Sequence, residues 1–216
     1  MKKIFFGLLA AALLTGCDDD ALDASGSTVT ETRELEEFNR LNINAGRNIK
    51  VMYADHTGIT ITGSDNLVRH LRSAVSNGQL SLDYDQDHIN HEDVEITITL
   101  PFFKDLRLNG RRSLTTHGLF DHTENITIVS HGENDLRSVD PFTTGSMNIS
   151  LTGTGNADFR TLSCQNAKAS ITGDGKIYVK AEQSLNALIH GSGHIYYVDH
   201  PQITSDITGS GSISSI

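Results

Sequence analysis

The sequence is short of cysteine, of positive charge and of long apolar runs. It has two cysteines in 216 residues, and Cys17 closes an N-terminal leader, which leaves Cys164 alone in the remainder. No intrachain disulfide can form there, so stability has to come from a packed core. Lys and Arg number 17 against 27 Asp and Glu, a formal charge of −10. Losing Lys2 and Lys3 with the leader takes this to −12. Arg107, Arg111 and Arg112 are the only basic cluster. A nucleic-acid binder needs a broad basic face to release counterions, so nucleic acid is excluded as a partner. Direct attraction to anionic lipid is excluded on the same ground. The apolar run Ile4 to Leu14 is too short to span a bilayer, which takes about 20 residues. No Gly-x-Ser-x-Gly, phosphate loop, Gly-x-Gly-x-x-Gly or His-Glu-x-x-His occurs, and no cofactor is expected.

What the leader does have is a basic start, a short apolar run and the tetrad Leu14-Thr15-Gly16-Cys17. That order marks residues 1–16 as an export signal, and the tetrad resembles the bacterial lipobox. The resemblance implies a diacylglyceryl thioether and an N-acyl chain on Cys17, and more than one chain is what stable anchoring needs. Asp18 resembles an inner-membrane retention signal, which favours a periplasm-facing inner-membrane address with the outer membrane as alternative. Residues 17–33, rich in Asp, Ser, Gly and Thr, read as a flexible tether. Residues 34–216 carry no Pro/Gly linker and read as one domain.

That domain is organised by its last seventy residues, where one phrase recurs four times. Leu151-Thr-Gly-Thr-Gly, Ile171-Thr-Gly-Asp-Gly, Ile189-His-Gly-Ser-Gly and Ile207-Thr-Gly-Ser-Gly put the first glycines at 153, 173, 191 and 209. Apolar residues alternate before each corner, as in Met147, Ile149, Leu151 or Leu185, Ala187, Ile189. They resume after it in the columns Ala157, Ile177, Ile195, Ile213 and Phe159, Val179, Tyr197, Ser215. Period-two alternation is a strand with one buried face. A coil of this length cannot bury its own apolar side, whereas stacked coils can. The expected fold is all-β: a right-handed parallel β-helix, a single-domain solenoid with coils of about 18–22 residues.

The N-terminal half carries the same phrases in degraded form: Leu41, Ile43 to Gly46; Ile49, Val51; Ile59, Ile61 to Gly63; Leu106, Leu108 to Gly110; Ile126, Ile128 to Gly132. Asn66 to Ser76 suits a short helix or a loop, and Asn77-Gly78 a tight turn. Ile43-Asn-Ala-Gly46-Arg-Asn-Ile49-Lys-Val51, Ile59-Thr-Ile-Thr-Gly63-Ser-Asp-Asn-Leu67, Asn77-Gly-Gln-Leu80-Ser-Leu82 and the Gly-Ser-Gly copies resemble the auto-transporter adhesin head GIN domain family. The resemblance implies a β-helical envelope domain and brings no catalytic residues with it.

Candidate chemistry is sparse. Asp83, Asp85 and Asp87 would share one strand face and offer oxygen ligands to a hard cation, although the glycine and bidentate glutamate of an EF-hand loop are missing. His88, His91 and Glu92 are a weaker zinc set. The glycine corners repeat at twice the period of a calcium β-roll and most lack its aspartate, although Asp174 sits inside one corner and Asp158 follows another. A polysaccharide lyase or hydrolase would need clustered carboxylates with a base on adjacent coils, and Asp174, Lys176, Lys180 and Glu182 are the nearest offering. Tyr178, His190, His194 and Tyr196 fall on outward positions of neighbouring coils and form a candidate binding patch for a glycan or an envelope protein. Cys164 reads as a small core filler. The solenoid ends in an open strand at Ile216, and the expectation is that another subunit in a homo-oligomer, a partner or a fold-back of earlier chain covers that end. The expectation is a lipid-anchored envelope protein for binding, adhesion or assembly without catalysis; the alternative is a polysaccharide-active enzyme.

Overall fold

The computed structural model describes residues 21–120 and 123–216. The export signal, Cys17 and Asp18 lie outside the described residues. The elements in chain order are β1 (Leu22–Asp23), β2 (Thr28–Arg33), β3 (Arg40–Ile43), β4 (Asn48–Tyr53), β5 (Gly58–Ser64), α1 (Asp65–His70), β6 (Leu71–Ser76), β7 (Gln79–Tyr84), β8 (Ile89–Asn90) and β9 (Glu95–Leu100). Then follow β10 (Asp105–Gly110), β11 (Ser113–His117), β12 (Asn125–Gly132), β13 (Asp135–Ser138), β14 (Phe142–Gly153), β15 (Asn156–Gly173), β16 (Lys176–Gly191), β17 (His194–Val198), β18 (Gln202–Gly209) and β19 (Ser212–Ser215).

The four C-terminal copies are rungs of a β-solenoid. Leu151, Ile171, Ile189 and Ile207 are paired in parallel register from rung to rung. The first three are sealed inside, at 2, 0 and 0 % exposure. On the second side Ala157, Ile177, Ile195 and Ile213 pair in the same way. A short third side joins Phe142–Thr144 to Leu162–Cys164, so the coil is three-sided. Strands β14 to β16 run through a bend rather than stopping there, which makes them longer than the alternation alone suggests. In the last rung Ile203 and Ile207 have a neighbour on one side only and stay 39 and 41 % exposed.

Each corner is set by a glycine at positive φ, as Gly173 and Gly191 at 121° and 130°. A Cβ on either would stand 2.5 Å from the carbonyl oxygen of the glycine one rung before. Both the backbone conformation and the stacking distance therefore demand glycine. At the Gly110 and Gly132 corners, among others, the second glycine is replaced. Asn134 turns inward, fully buried, and its Nδ2 donates to Ser130 Oγ at 3.0 Å and His131 O at 2.9 Å, while its Oδ1 accepts from Arg112 N at 2.9 Å. Arg112 takes the equivalent place one rung earlier.

The rungs are not stacked in chain order. Strands β3 and β4 lie between the β10/β11 rung on one side and the β7/β9 rung on the other. Beyond β7 and β9 the pairing turns antiparallel: β5 lies on β9, β6 on β7 and β2 on β5. Helix α1 bridges β5 and β6 across the end and buries Leu67 and Val68. This cap shields the strand edges and the core at that end of the solenoid.

Two sequence expectations are corrected here. Thr28–Arg33 belongs to the cap rather than to a flexible tether running to residue 33: β2 pairs along its whole length with β5, and Arg33 donates to the carbonyls of Leu71 (2.8 Å) and Val68 (3.2 Å). The stretch Asn66 to Ser76 is half helix and half strand, because Leu71–Ser76 finds a hairpin partner in β7 through the Asn77-Gly78 turn.

Candidate functional site

The outward column of the second side runs Arg137, Asp158, Tyr178, Tyr196, Ser214 in register. Strand stacking brings the two tyrosine rings face to face, with centroids 4.7 Å apart and planes at 14°. The Arg160 guanidinium lies over the other face of Tyr178 at 4.9 Å. Asp158 accepts from Arg160 at 2.6 and 2.9 Å, which fixes the guanidinium and holds the Asp158 carboxyl below the usual carboxylate range. His194 leans on Tyr196 at 6.2 Å, and its Nδ1 sits 2.8 Å from Ser212 Oγ. The outcome is a ladder of a cation and two aromatic rings on an outer face, ending at a Tyr196 face opposite the small Ser214. Such a surface offers π faces beside polar groups.

His190 does not join the ladder. It precedes the Gly191 corner, exposed in register with Thr172 and Thr208, and therefore lies around the corner from Tyr196. Arg160 does join it, and sequence reading missed it because alternation predicts columns and not a side chain that folds back across one. The Asp158-x-Arg160 pair before the Tyr178 column was the available signal.

The three aspartates do not converge. Strand β7 ends at Tyr84, so the shared face does not persist. Asp83 accepts from Asn44 Nδ2 at 2.5 Å. Asp85 is taken by His70 at 2.7 Å and Arg72 at 3.2 Å, and the His70 hydrogen bond is the main reason its pKa is lowered. Among the described residues no group of three metal-binding side chains comes together. His91 pairs with Asp23 at 3.0 Å, and Glu92 turns inward. Glu92 receives Gly46 N at 2.5 Å, Tyr84 Oη at 2.8 Å and Arg112 Nη1 at 3.0 Å. Burial first, then Glu92, raises the Tyr84 pKa, so the phenol stays protonated and donates. This cluster is a structural clamp between rungs beside a polar cavity of about 360 Å³.

The enzyme candidates are also apart. Asp174 and Lys176 flank one corner, while Lys180 and Glu182 sit at the far bend. Lys176 to Lys180 alone spans about 13 Å of extended strand, more than the carboxylate spacing of either glycosidase class. Asp174 binds Ser192, and Glu182 accepts from Ser163 at 2.7 Å.

Cys164 is buried on the third side, and burial pushes its thiol up to about 12. At pH 8 it should resist a thiol reagent such as dithionitrobenzoate in the native protein and react fully in denaturant. Fast native labelling would show that this side of the coil is open.

A groove of about 560 Å³ follows the bend between the third and first sides, lined by Thr123, Glu124, Thr143, Ser163, Gln165 and Glu182 among others. Its lining is hydroxyl, amide and carboxylate.

The family described as "Putative auto-transporter adhesin, head GIN domain" matches residues 37–141 and again 122–201. The chain belongs to this family. A prokaryotic membrane lipoprotein lipid attachment site matches residues 1–17, ending on Cys17. The head GIN domain is similar in fold to three crystal structures. A "putative adhesin" from Bacteroides fragilis shares 23% identity over 91% of this chain and 100% of that one, with a TM-score of 0.62. A "putative adhesin" from Parabacteroides merdae shares 13% over 91% and 99%, at 0.57. A "putative lipid binding protein" from Parabacteroides distasonis shares 19% over 91% and 99%, at 0.56. At these identities the likeness concerns the fold alone. No curated protein matches the chain. This head GIN domain is thus a β-solenoid carried by a lipid-anchored cell-envelope protein.

Proposed function

We propose that the domain is a non-catalytic binding head, displayed from the membrane by lipid on Cys17, and that its ladder face contacts a glycan of the cell envelope. The Arg160–Tyr178–Tyr196 stack carries this reading, with centroid spacings of 4.9 and 4.7 Å on an outer face. A pyranose ring presents C–H groups to an aromatic face and hydroxyls to its rim. His194, Ser212 and Ser214 supply polar groups there, and Lys176 stands beside them in the His194 column. His190 remains in the proposed patch only as a contact around the corner. Asp18 favours the periplasmic face of the inner membrane as the address.

The lipid binding described for the Parabacteroides distasonis protein fits this chain less well. The groove of about 560 Å³ on this chain is lined by Glu124, Gln165, Glu182 and hydroxyl side chains, which suit a polar ligand and not an acyl chain.

The test is a glycan array probed with the soluble domain and with Tyr178→Ala/Tyr196→Ala. Stacking on the open Tyr196 face contributes about 1–3 kcal/mol by analogy with other π contacts, so the double variant should bind about tenfold more weakly while losing only about 1 kcal/mol of stability with the ring pair. Turnover of any bound glycan would favour the polysaccharide-active alternative. Capture of an envelope protein with no glycan bound would move the ladder to a protein partner.

A further inference from the structure

The segment expected to be a long tether is mostly built into the domain, and this fixes how the head can stand on its membrane. The chain is tied down from Leu22 onward. Leu22 N donates to His88 O at 2.9 Å, and Leu22–Asp23 pairs with Ile89–Asn90. Asn66 Nδ2 donates to Asp23 O at 2.7 Å and Asn66 Oδ1 accepts from Ser25 N at 2.9 Å, so α1 grips the strand from the cap. His91 Nδ1 lies 3.0 Å from Asp23 Oδ1, and Leu22, Ala24 and Val29 pack against the core. Between the lipid attachment residue Cys17 and Leu22 the covalent chain can reach at most about 18 Å. A tether free to residue 33 could have reached about 58 Å.

The attachment point is at one end of the molecule. From the cap outward the second side stacks β2, β5, β9, β4, β11, β13, β15, β16, β17 and β19. At about 4.8 Å per strand this column is roughly 43 Å long. The lipid is therefore tied to the capped end, and the Tyr178–Tyr196 rungs are near the opposite one. Electrostatics do not pull the long sides down, because a chain whose formal charge is −10 with its leader and −12 without Lys2 and Lys3 gains nothing against anionic lipid.

We propose that the head stands on the bilayer on its capped end, with α1 and the β1/β8 strand pair facing the lipid headgroups and the far rungs projecting outward. Its reach is then bounded: leash plus solenoid come to about 60 Å from the membrane surface. The partner must be in the same membrane or in the layer directly against it.

The test uses the lipidated full-length protein in phosphatidylethanolamine/phosphatidylglycerol vesicles, with energy transfer from a single label to a headgroup-labelled lipid. Labels go on Arg69→Cys in α1, Leu119→Cys on a side and Ser212→Cys in the last rung; buried Cys164 stays unlabelled. Transfer should be strongest from position 69 and at least threefold weaker from 212. Equal transfer from 69 and 212, or strongest transfer from 119, would mean that the head lies on a side and would overturn the proposal. A 20-residue Gly-Ser insertion after Asp20 should at least halve transfer from position 69 and leave thermal unfolding unchanged. Unaltered transfer in that variant would show that the leash does not set the distance.

Discussion

Replacing Gly173 by alanine should cost about 4 kcal/mol and lower the melting temperature by about 10 °C. Gly173 has φ 121°, where an L side chain is strained by about 1–3 kcal/mol. Its Cβ would also stand 2.5 Å from Gly153 O, a backbone atom that accepts Asp174 N at 3.0 Å. Gly153 can give way only by breaking rung hydrogen bonds, so the clash adds to the strain. Gly173 O is held in turn by Gly193 N at 2.9 Å and Ser192 N at 3.1 Å, which passes the disturbance to the next rung. Gly78→Ala is the control. It has φ 73° but nothing within 4 Å of the added Cβ, so only the strain of about 1 kcal/mol should appear. Urea melts of the two variants check this. Equal losses would mean that the glycine columns are not in close contact.

The second large effect is expected at Arg112. Its Nε donates to Asn109 O at 2.7 Å, and Nη1 donates to Gly46 O at 2.6 Å and Glu92 Oε2 at 3.0 Å. Nη2 reaches Asn44 O as well. These groups come from three different rungs of the N-terminal half. The Arg112 and Glu92 side chains are only 11 and 17 % exposed. Arg112→Met would strand a nearly buried carboxylate and three carbonyls, at about 3 kcal/mol. Adding Glu92→Gln removes the uncompensated charge and should recover about 1 kcal/mol or more, measured again by denaturant melts. A loss below about 1 kcal/mol for Arg112→Met would mean that water replaces the guanidinium and that no clamp exists.

The C-terminal rungs were legible because two independent local signals coincide there. Period-two alternation gives each strand its buried face, and the Gly-x-Gly corner resets the register at the same point in every copy. The out-of-order stacking of β3/β4 between β7/β9 and β10/β11 was not legible. Leu41 and Ile43 alternate just as Leu80 and Leu82 do, and nothing local says which rung pairs with which. The cap was hidden for a related reason. Thr28 to Arg33 contains one apolar residue, Val29, because an outermost strand buries little; its stability comes from pairing with β5 and from Arg33 holding the end of α1. In the ladder, Tyr178 and Tyr196 followed from register, whereas Arg160 reaches its ring from outside the column. Asp83, Asp85 and Asp87 share a face only while the strand lasts; once it stops, Asp85 is drawn to His70 and Arg72, while Asp83 and Asp87 line the cavity beside Glu92.

One distance series tests the stacking most directly. Asn48, Asn156, Lys176, His194 and Ser212 occupy one outward column. Spin labels paired with position 48 should give distances that grow by about 4.8 Å per rung, from about 14 Å at position 156 to about 29 Å at position 212. Glu95 lies one rung beyond Asn48, so its label should sit about 5 Å farther from position 212 than the label at 48 does, although it is nearer in sequence. A series without the steady increment, or a shorter distance from 95 than from 48, would contradict the stacked and reordered solenoid.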